Sequence, residues 1–366
     1  MLTLKNFDKA SAPLCFIANT WWSTIALNKT WNPTAVTLET STDWTNWSTY
    51  TIWTTITLSS AWDRVYFRNS SETPTWFSIN TSNCYQFAMS WSIAWVWNIN
   101  YLLCKEWCIE MWTATFSRLF FNCASLTSSP ALPSTSISDN WYTQMFFSCN
   151  GLTEPPELPA TSMWTWGYYW MFLNCKNLKS SPEIHITTAT TNWLWNMFQW
   201  CSSLKTAPSI LPATTLALQC YSDMFDWCSS LKTVPILPAT TLTNSCYSYM
   251  FANCTSLTIC PELPATTLAQ NCYNQMFNWC KNLQSLPLLP ATTLAGSCYS
   301  MMFNWCTNIL LSTSQTWNYQ TAYRIPTTWA WTEWSYSLYD MFQWTWWTFT
   351  WTPSINTTYY TANALV

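Results

Sequence analysis

The pair Met-Phe, followed by Cys three residues after the Phe and then by Leu, recurs along this chain at a near-fixed spacing. It stands at Met145-Phe146, Met171-Phe172, Met197-Phe198, Met224-Phe225, Met250-Phe251, Met276-Phe277 and Met302-Phe303, with Leu119-Phe120 as a degenerate first copy. The spacing is 26 residues throughout, except for 27 between Met197 and Met224. A unit this short cannot bury its own apolar face, so the copies must stack on one another to form a core. The fuller pattern is L-P-A-T-T-L-x-x-x-C-Y-x-x-M-F-x-x-C-x-x-L-x-x-x-P-x-L, cleanest from Leu237 to Leu263.

Each unit has two halves. Leu216, Cys220 and Met224 fall four apart, with Tyr221 and Phe225 alongside. That spacing predicts one face of a short helix, with Thr214 or Thr215 able to cap its start. Cys228, Leu231, Val234 and Leu237 then follow at every third residue. They predict a short extended segment turned into the core, kept brief by Pro235, which cannot donate to a ladder.

The residues Met250-Phe251-Ala252-Asn253-Cys254-Thr255-Ser256-Leu257 and Pro261-Glu262-Leu263-Pro264 resemble the BspA-like leucine-rich-repeat family of bacterial surface proteins. The resemblance covers roughly Thr115 to Leu311. It implies a right-handed solenoid, a surface location, adhesion or partner binding, and no catalytic residues. With it, the predicted fold is mixed α/β: a leucine-rich-repeat solenoid of short parallel strands and short helical turns, preceded by a small β-sandwich-like domain. The expected organisation is a leader or truncated join at 1–11, a β-rich domain at 12–92, an N-terminal cap at 93–114, the repeats at 115–311 and a C-terminal cap at 312–366.

The chain has 3 Gly and 31 Trp in 366 residues. Average glycine usage is about 7%, and glycine fills most positions that need a positive φ. The residue just before each repeat Cys runs Asn122, Ser148, Asn174, Trp200, Trp227, Asn253, Trp279, Trp305. The family pattern usually has Gly or Asn there. Asn and Gly suit a left-handed residue, whereas Trp does not. A second column, Trp141, Gly167, Trp193, Cys220, Cys246, Cys272, Cys298, otherwise holds small residues, and Trp would overpack it. Thr20-Trp21-Trp22-Ser23 and Thr42-Asp43-Trp44-Thr45 sit where Gly-Gly and Asp-Gly would make turns. The expectation is that much of this tryptophan is misread glycine, from UGA codons. Trp47 is set apart as a genuine one.

Charged residues make up 8% of the chain and the net charge is −3. Nucleic acid is therefore excluded as a partner, since its binding needs a large Lys/Arg excess. The sequence contains no run of about 18 apolar residues that could form a transmembrane helix. Met1 to Ala10 carries two Lys with no apolar stretch behind them, so no export signal is visible.

The 17 Cys do not pattern as a metal site, because there is no C-x-x-C pair and only one His, His185. Cys123, Cys149, Cys175, Cys201, Cys228, Cys254, Cys280 and Cys306 hold one repeat position; Cys220, Cys246, Cys272 and Cys298 hold another. Buried free Cys acts as a small hydrophobe, so both sets read as core ladders. Cys104 and Cys108 lie outside them and could pair with each other or with Cys84. A catalytic triad would have to use His185, and no nucleophile elbow lies near it. Glu154, Glu157, Glu183 and Glu262 could suggest a glycosidase pair but fit surface charges on a repeat face better.

The expected function is non-enzymatic: a cell-surface binding or adhesion protein with no cofactor and no metal, facing an unknown protein or glycan. The strand face supplies the candidate binding residues Glu154, Lys179, Lys205, Thr206, Lys232, Thr233, Gln284 and Ser285. The competing expectation is a carbohydrate-binding or carbohydrate-active protein using Trp platforms.

Overall fold

The computed structural model describes residues 14–31, 35–71, 82–96, 99–103, 116–310, 328–329, 336–345 and 349–354. The expected leader, Cys104, Cys108 and most of both expected caps lie outside the described residues.

The first part is antiparallel. Its strands are β1 (Leu14–Ala18), β2 (Ser23–Lys29), β3 (Leu38–Ser41), β4 (Ser48–Tyr50), β5 (Ile56–Leu58), β6 (Arg64–Asn69), β7 (Tyr85–Ser90) and β8 (Ile93–Val96). They form one sheet in the order β4-β3-β6-β1-β8 and another in the order β5-β2-β7. Side chains alternate across a strand, so Leu14, Phe16 and Ala18 point to the main core while Cys15 and Ile17 join Tyr66 in a second, outer cluster. Phe16 and Phe67 of the larger sheet meet Phe87 of the smaller one at ring-centroid distances of 4.7 and 5.4 Å, so the two sheets share one core.

The repeats stack directly on these sheets. The Phe87 amide donates to the Leu119 carbonyl, and the Phe87 ring lies 5.5 Å above Phe120 at an interplanar angle of 13°. From there one column of parallel rings runs through Phe146, Phe172, Phe198, Phe225, Phe251 and Phe277 to Phe303 and Phe342, at successive centroid distances of 5.4–5.6 Å. Columns of Met, Leu and Cys run beside it, all buried.

The expectation of helical turns is wrong. Among the described residues there is no α-helix; the one helical element is a 3₁₀ turn at Ile99–Leu102, outside the repeats. The Met-Phe segment is instead a ribbon of linked turns. In the copy from Asn271 to Cys280, the amides of Asn271, Tyr273, Gln275, Phe277 and Trp279 donate to Gly296, Cys298, Ser300, Met302 and Asn304 of the next coil. The alternate amides, those of Cys272, Asn274, Met276, Asn278 and Cys280, donate three residues back within their own coil. Every fourth residue takes a positive φ: 56° at Asn271, 53° at Gln275 and 64° at Trp279. A helix would send every amide four residues back and would contain no left-handed residue. The apolar period of four fits both arrangements, which is why it was misleading.

The strand half is also sparser than expected. Most of the regular strand is in the antiparallel sheets. Among the described residues of the repeats and beyond, parallel pairing is confined to β9 (Ser136–Ile137) with β10 (Ser162–Met163), β11 (Thr293–Leu294) with β12 (Thr328–Trp329), and single bridges such as Ser180 with Thr206 and Ile210 with Ile236. The prolines of each unit interrupt anything longer. The mixed α/β reading therefore gives way to antiparallel sheets followed by stacked, mostly irregular coils.

Candidate interaction surface

The segment after each repeat Leu carries the surface of interest. A buried Leu (Leu178, Leu204, Leu231, Leu283) anchors each coil, so the next residue is forced outward. Lys179, Lys205, Lys232 and Gln284 occupy that outward position and are all exposed. Their backbones are tied in register. The Lys205 amide donates to Lys179 at 2.8 Å and the Lys232 amide donates to Lys205 at 3.0 Å. Parallel coils paired in this way stand about 4.8 Å apart, so the three lysines form a short ladder of positive charge. Thr258 separates them from Gln284, whose amide it accepts at 3.0 Å.

The other candidates line the adjacent column. Thr206 and Thr233 are exposed, and Ser285 is partly so. The Thr233 hydroxyl accepts the Ala207 amide at 2.8 Å. Glu154 accepts the Ser180 hydroxyl at 2.8 Å. Thus the candidate residues from Glu154 to Thr233 come together on one face, and Gln284 and Ser285 continue it beyond Thr258 and the exposed Ile259. The extra residue of the 27-residue unit lies here too: Ser209 gives both its amide and its hydroxyl to the Glu183 carboxylate.

Beside the ladder, proline segments of neighbouring coils leave open grooves. One, of about 420 Å³, is lined by Pro155, Pro156, Pro159 and Pro182 with Glu154, Glu157, Glu183 and His185. The carboxylates and His185 are exposed. Among the described residues no group of three or more His, Cys, Asp or Glu is placed to hold a metal ion.

The cysteines are structural. In the ladder from Cys149 to Cys306 each thiol donates to the carbonyl of a Phe one repeat earlier, as Cys254 does to Phe225 at 3.2 Å and Cys280 to Phe251 at 3.0 Å. Burial pushes the Cys123 and Cys175 thiols up to about 12. A shift of about three units from an ordinary thiol leaves on the order of a thousandfold less thiolate, the reactive form. Native protein should therefore leave the ladder thiols unmodified by a disulfide reagent over hours, while unfolded protein reacts at all of them within minutes. Rapid native labelling at Cys228 or Cys254, mapped by peptide mass, would contradict this arrangement.

One acidic pair was missed from sequence. Asp223 and Asp226 lie on the turn ribbon; Asp226 is buried and accepts the side-chain amides of Gln199 and Asn253 at 2.9 Å each. Burial pushes Asp226 up to about 6, against those hydrogen bonds and with the help of the Asp223 charge. Burial raises Asp223 as well. The available signal was that Asp226 is the lone carboxylate in a column that otherwise holds Phe121, Phe147, Leu173, Gln199, Ala252, Asn278 and Asn304.

No family model matches the chain, and no curated protein does. Among solved structures, two bacterial proteins match it. The chain is similar to leucine-rich-repeat proteins, one of them a cell surface protein. One is a leucine-rich repeat protein from Bacteroides ovatus, 19% identical, with a TM-score of 0.28 over 59% of this chain and 56% of that one. The other is a leucine rich cell surface protein from Faecalibacterium prausnitzii, 15% identical, with a TM-score of 0.23 over 57% of this chain and 80% of that one. The chain thus spans a little over half the length of the first. The overlays are loose, and the repeat character of this chain rests on its own columns of Phe, Cys and Leu.

Proposed function

We propose that this chain is a non-enzymatic cell-surface binding protein of the BspA-like leucine-rich-repeat kind, an adhesin whose coil face takes a protein partner with an acidic surface. The observation that carries this reading is the ladder of Lys179, Lys205 and Lys232 in adjacent coils, each exposed. The one ion pair among the described residues is Arg68 with Glu39, far along the chain from this ladder. Among the described residues no helix is long and apolar enough to cross a membrane.

Solenoid faces bind by accumulated area, and clustered charge adds on-rate and salt dependence. The reading with Trp platforms for sugars has less in its favour on the repeats. Trp200 and Trp227 stack on each other at 4.7 Å, as Trp279 and Trp305 do at 4.6 Å, so these indoles cover faces that a sugar ring would need.

The test is adhesion of beads carrying the chain to a panel of immobilised extracellular proteins. Wild-type beads should bind at least one acidic protein, and binding should weaken about tenfold or more between 50 mM and 500 mM salt. The triple variant Lys179→Glu, Lys205→Glu, Lys232→Glu should keep its melting temperature and lose that binding. Undiminished binding by the triple variant would remove the ladder from the function.

A further inference from the structure

In the antiparallel part, each described connection holds a tryptophan at positive φ. Trp22 lies between β1 and β2, Trp31 between β2 and β3, Trp44 between β3 and β4, Trp53 between β4 and β5, Trp62 between β5 and β6, and Trp91 between β7 and β8. Their φ values run from 31° to 77°, and among the described residues of this part no other residue type takes a positive φ. Left-handed turn positions belong to glycine, with Asn and Asp as the usual substitutes, because a bulky Cβ substituent clashes there. The indoles at Trp22, Trp31, Trp62 and Trp91 project into solvent, at 64–91% exposure, so packing does not compensate.

The repeats point the same way by a separate route. Trp200, Trp227, Trp279, Trp305 and Trp344 take φ of 62–66° in the column where Asn122, Ser148, Asn174 and Asn253 take 56–63°. In the enclosed column held elsewhere by Gly167 and four Cys, Trp141 and Trp193 are fully buried, and their indole N–H groups meet no acceptor. At Gly167 itself an added Cβ would come within 2.4 Å of the Met163 sulfur. That slot is built for a small residue. Conversely, none of the chain's glycines takes a positive φ. Trp47 is the contrast: its N–H donates to the Trp44 carbonyl at 3.0 Å and the Arg68 guanidinium lies 4.0 Å over its ring.

We propose that the six turn tryptophans and Trp200, Trp227, Trp279, Trp305 and Trp344, together with Trp141 and Trp193, are glycines in the native protein. Their codons would be UGA, which some genetic codes assign to glycine and others to tryptophan. This is independent of the binding reading above, except that it removes indoles from any role in recognition. The ridge of Trp200, Trp227, Trp279, Trp305 and Trp344 becomes exposed backbone, interrupted by the Asn253 side chain.

The gene decides it first. UGA at the six turn positions, at the five ridge positions and at Trp141 and Trp193, with UGG at Trp47, is the expected result. UGG at the turn and ridge positions overturns the proposal. At the protein level, two full-length forms are compared by thermal melting: the chain with tryptophan as written, and one with glycine at the six turn and five ridge positions. The glycine form should melt higher by on the order of 10 °C or more, or alone show a cooperative transition. An equal or lower melting temperature for the glycine form counts against it. The codons give the answer even if neither form folds in a foreign host.

Discussion

Replacing Phe225 with Ala should cost about 3–5 kcal/mol of stability, the range for removing a fully buried aromatic ring. Phe225 has no exposed surface and sits mid-column, 5.6 Å from both Phe198 and Phe251, with interplanar angles of 6° and 4°. The neighbouring rings are fixed by their own coils, and the coils are fixed by backbone bonds on either side: Phe198 donates to Met224 at 2.9 Å, and Phe225 to Met250 at 2.9 Å. The cavity therefore has little room to collapse. The Phe225 carbonyl also accepts the Cys254 thiol, so a shifted backbone would cost a second contact. Because each coil touches only its neighbours, a weak coil should also divide the array. Denaturant unfolding should show a lower midpoint and a broadened or two-step transition, whereas Thr206→Ala on the exposed face should change stability by less than about 0.5 kcal/mol. A loss below about 1 kcal/mol for Phe225→Ala would mean that the ring column is not the core.

The second large effect concerns pH. The Asp226 carboxyl is raised to about 6 in the folded chain by burial, against about 3.9 when unfolded. Between those values the folded state holds a proton that the unfolded state has released. Folding is thus favoured at low pH through this group, and that contribution is lost as pH rises from about 4 to about 6. Two units correspond to roughly 2–3 kcal/mol. Asp226→Asn keeps the shape, and Asn253 can turn its amide to face the new N–H. The variant should be more stable than the parent by about 2 kcal/mol at pH 7 and equal to it below pH 4. Urea midpoints at pH 4, 5, 6 and 7 for both proteins measure this directly. Parallel curves would show that the carboxylate is solvated in the folded protein.

Much of the candidate surface was legible before any coordinates. Lys179, Lys205 and Lys232 each follow a repeat Leu, and a buried Leu forces its neighbour outward. The pairing of Glu154 with Ser180 was not legible, since it depends on two side chains meeting across coils. Asp226 escaped notice because its column mixes apolar and polar residues and so carries no clear burial signal, and its enclosure by Gln199 and Asn253 is a contact between coils.

The sequence by itself determined the stacking unit, its period, the buried identity of the Phe, Cys, Met and Leu columns, and the left-handed position just before each repeat Cys, though not the two others in each coil. These are properties of one residue position repeated along the chain, so repetition makes them visible. Tertiary structure alone decided what the four-residue apolar period becomes. The amides of Tyr273, Gln275 and Phe277 bond to Cys298, Ser300 and Met302, 25 residues away, and not to carbonyls one helical turn back. Local spacing is the same for a helix and for linked turns; the choice lies in where alternate amides find their acceptors. Only the presence of the next coil, one repeat further on, supplies those acceptors.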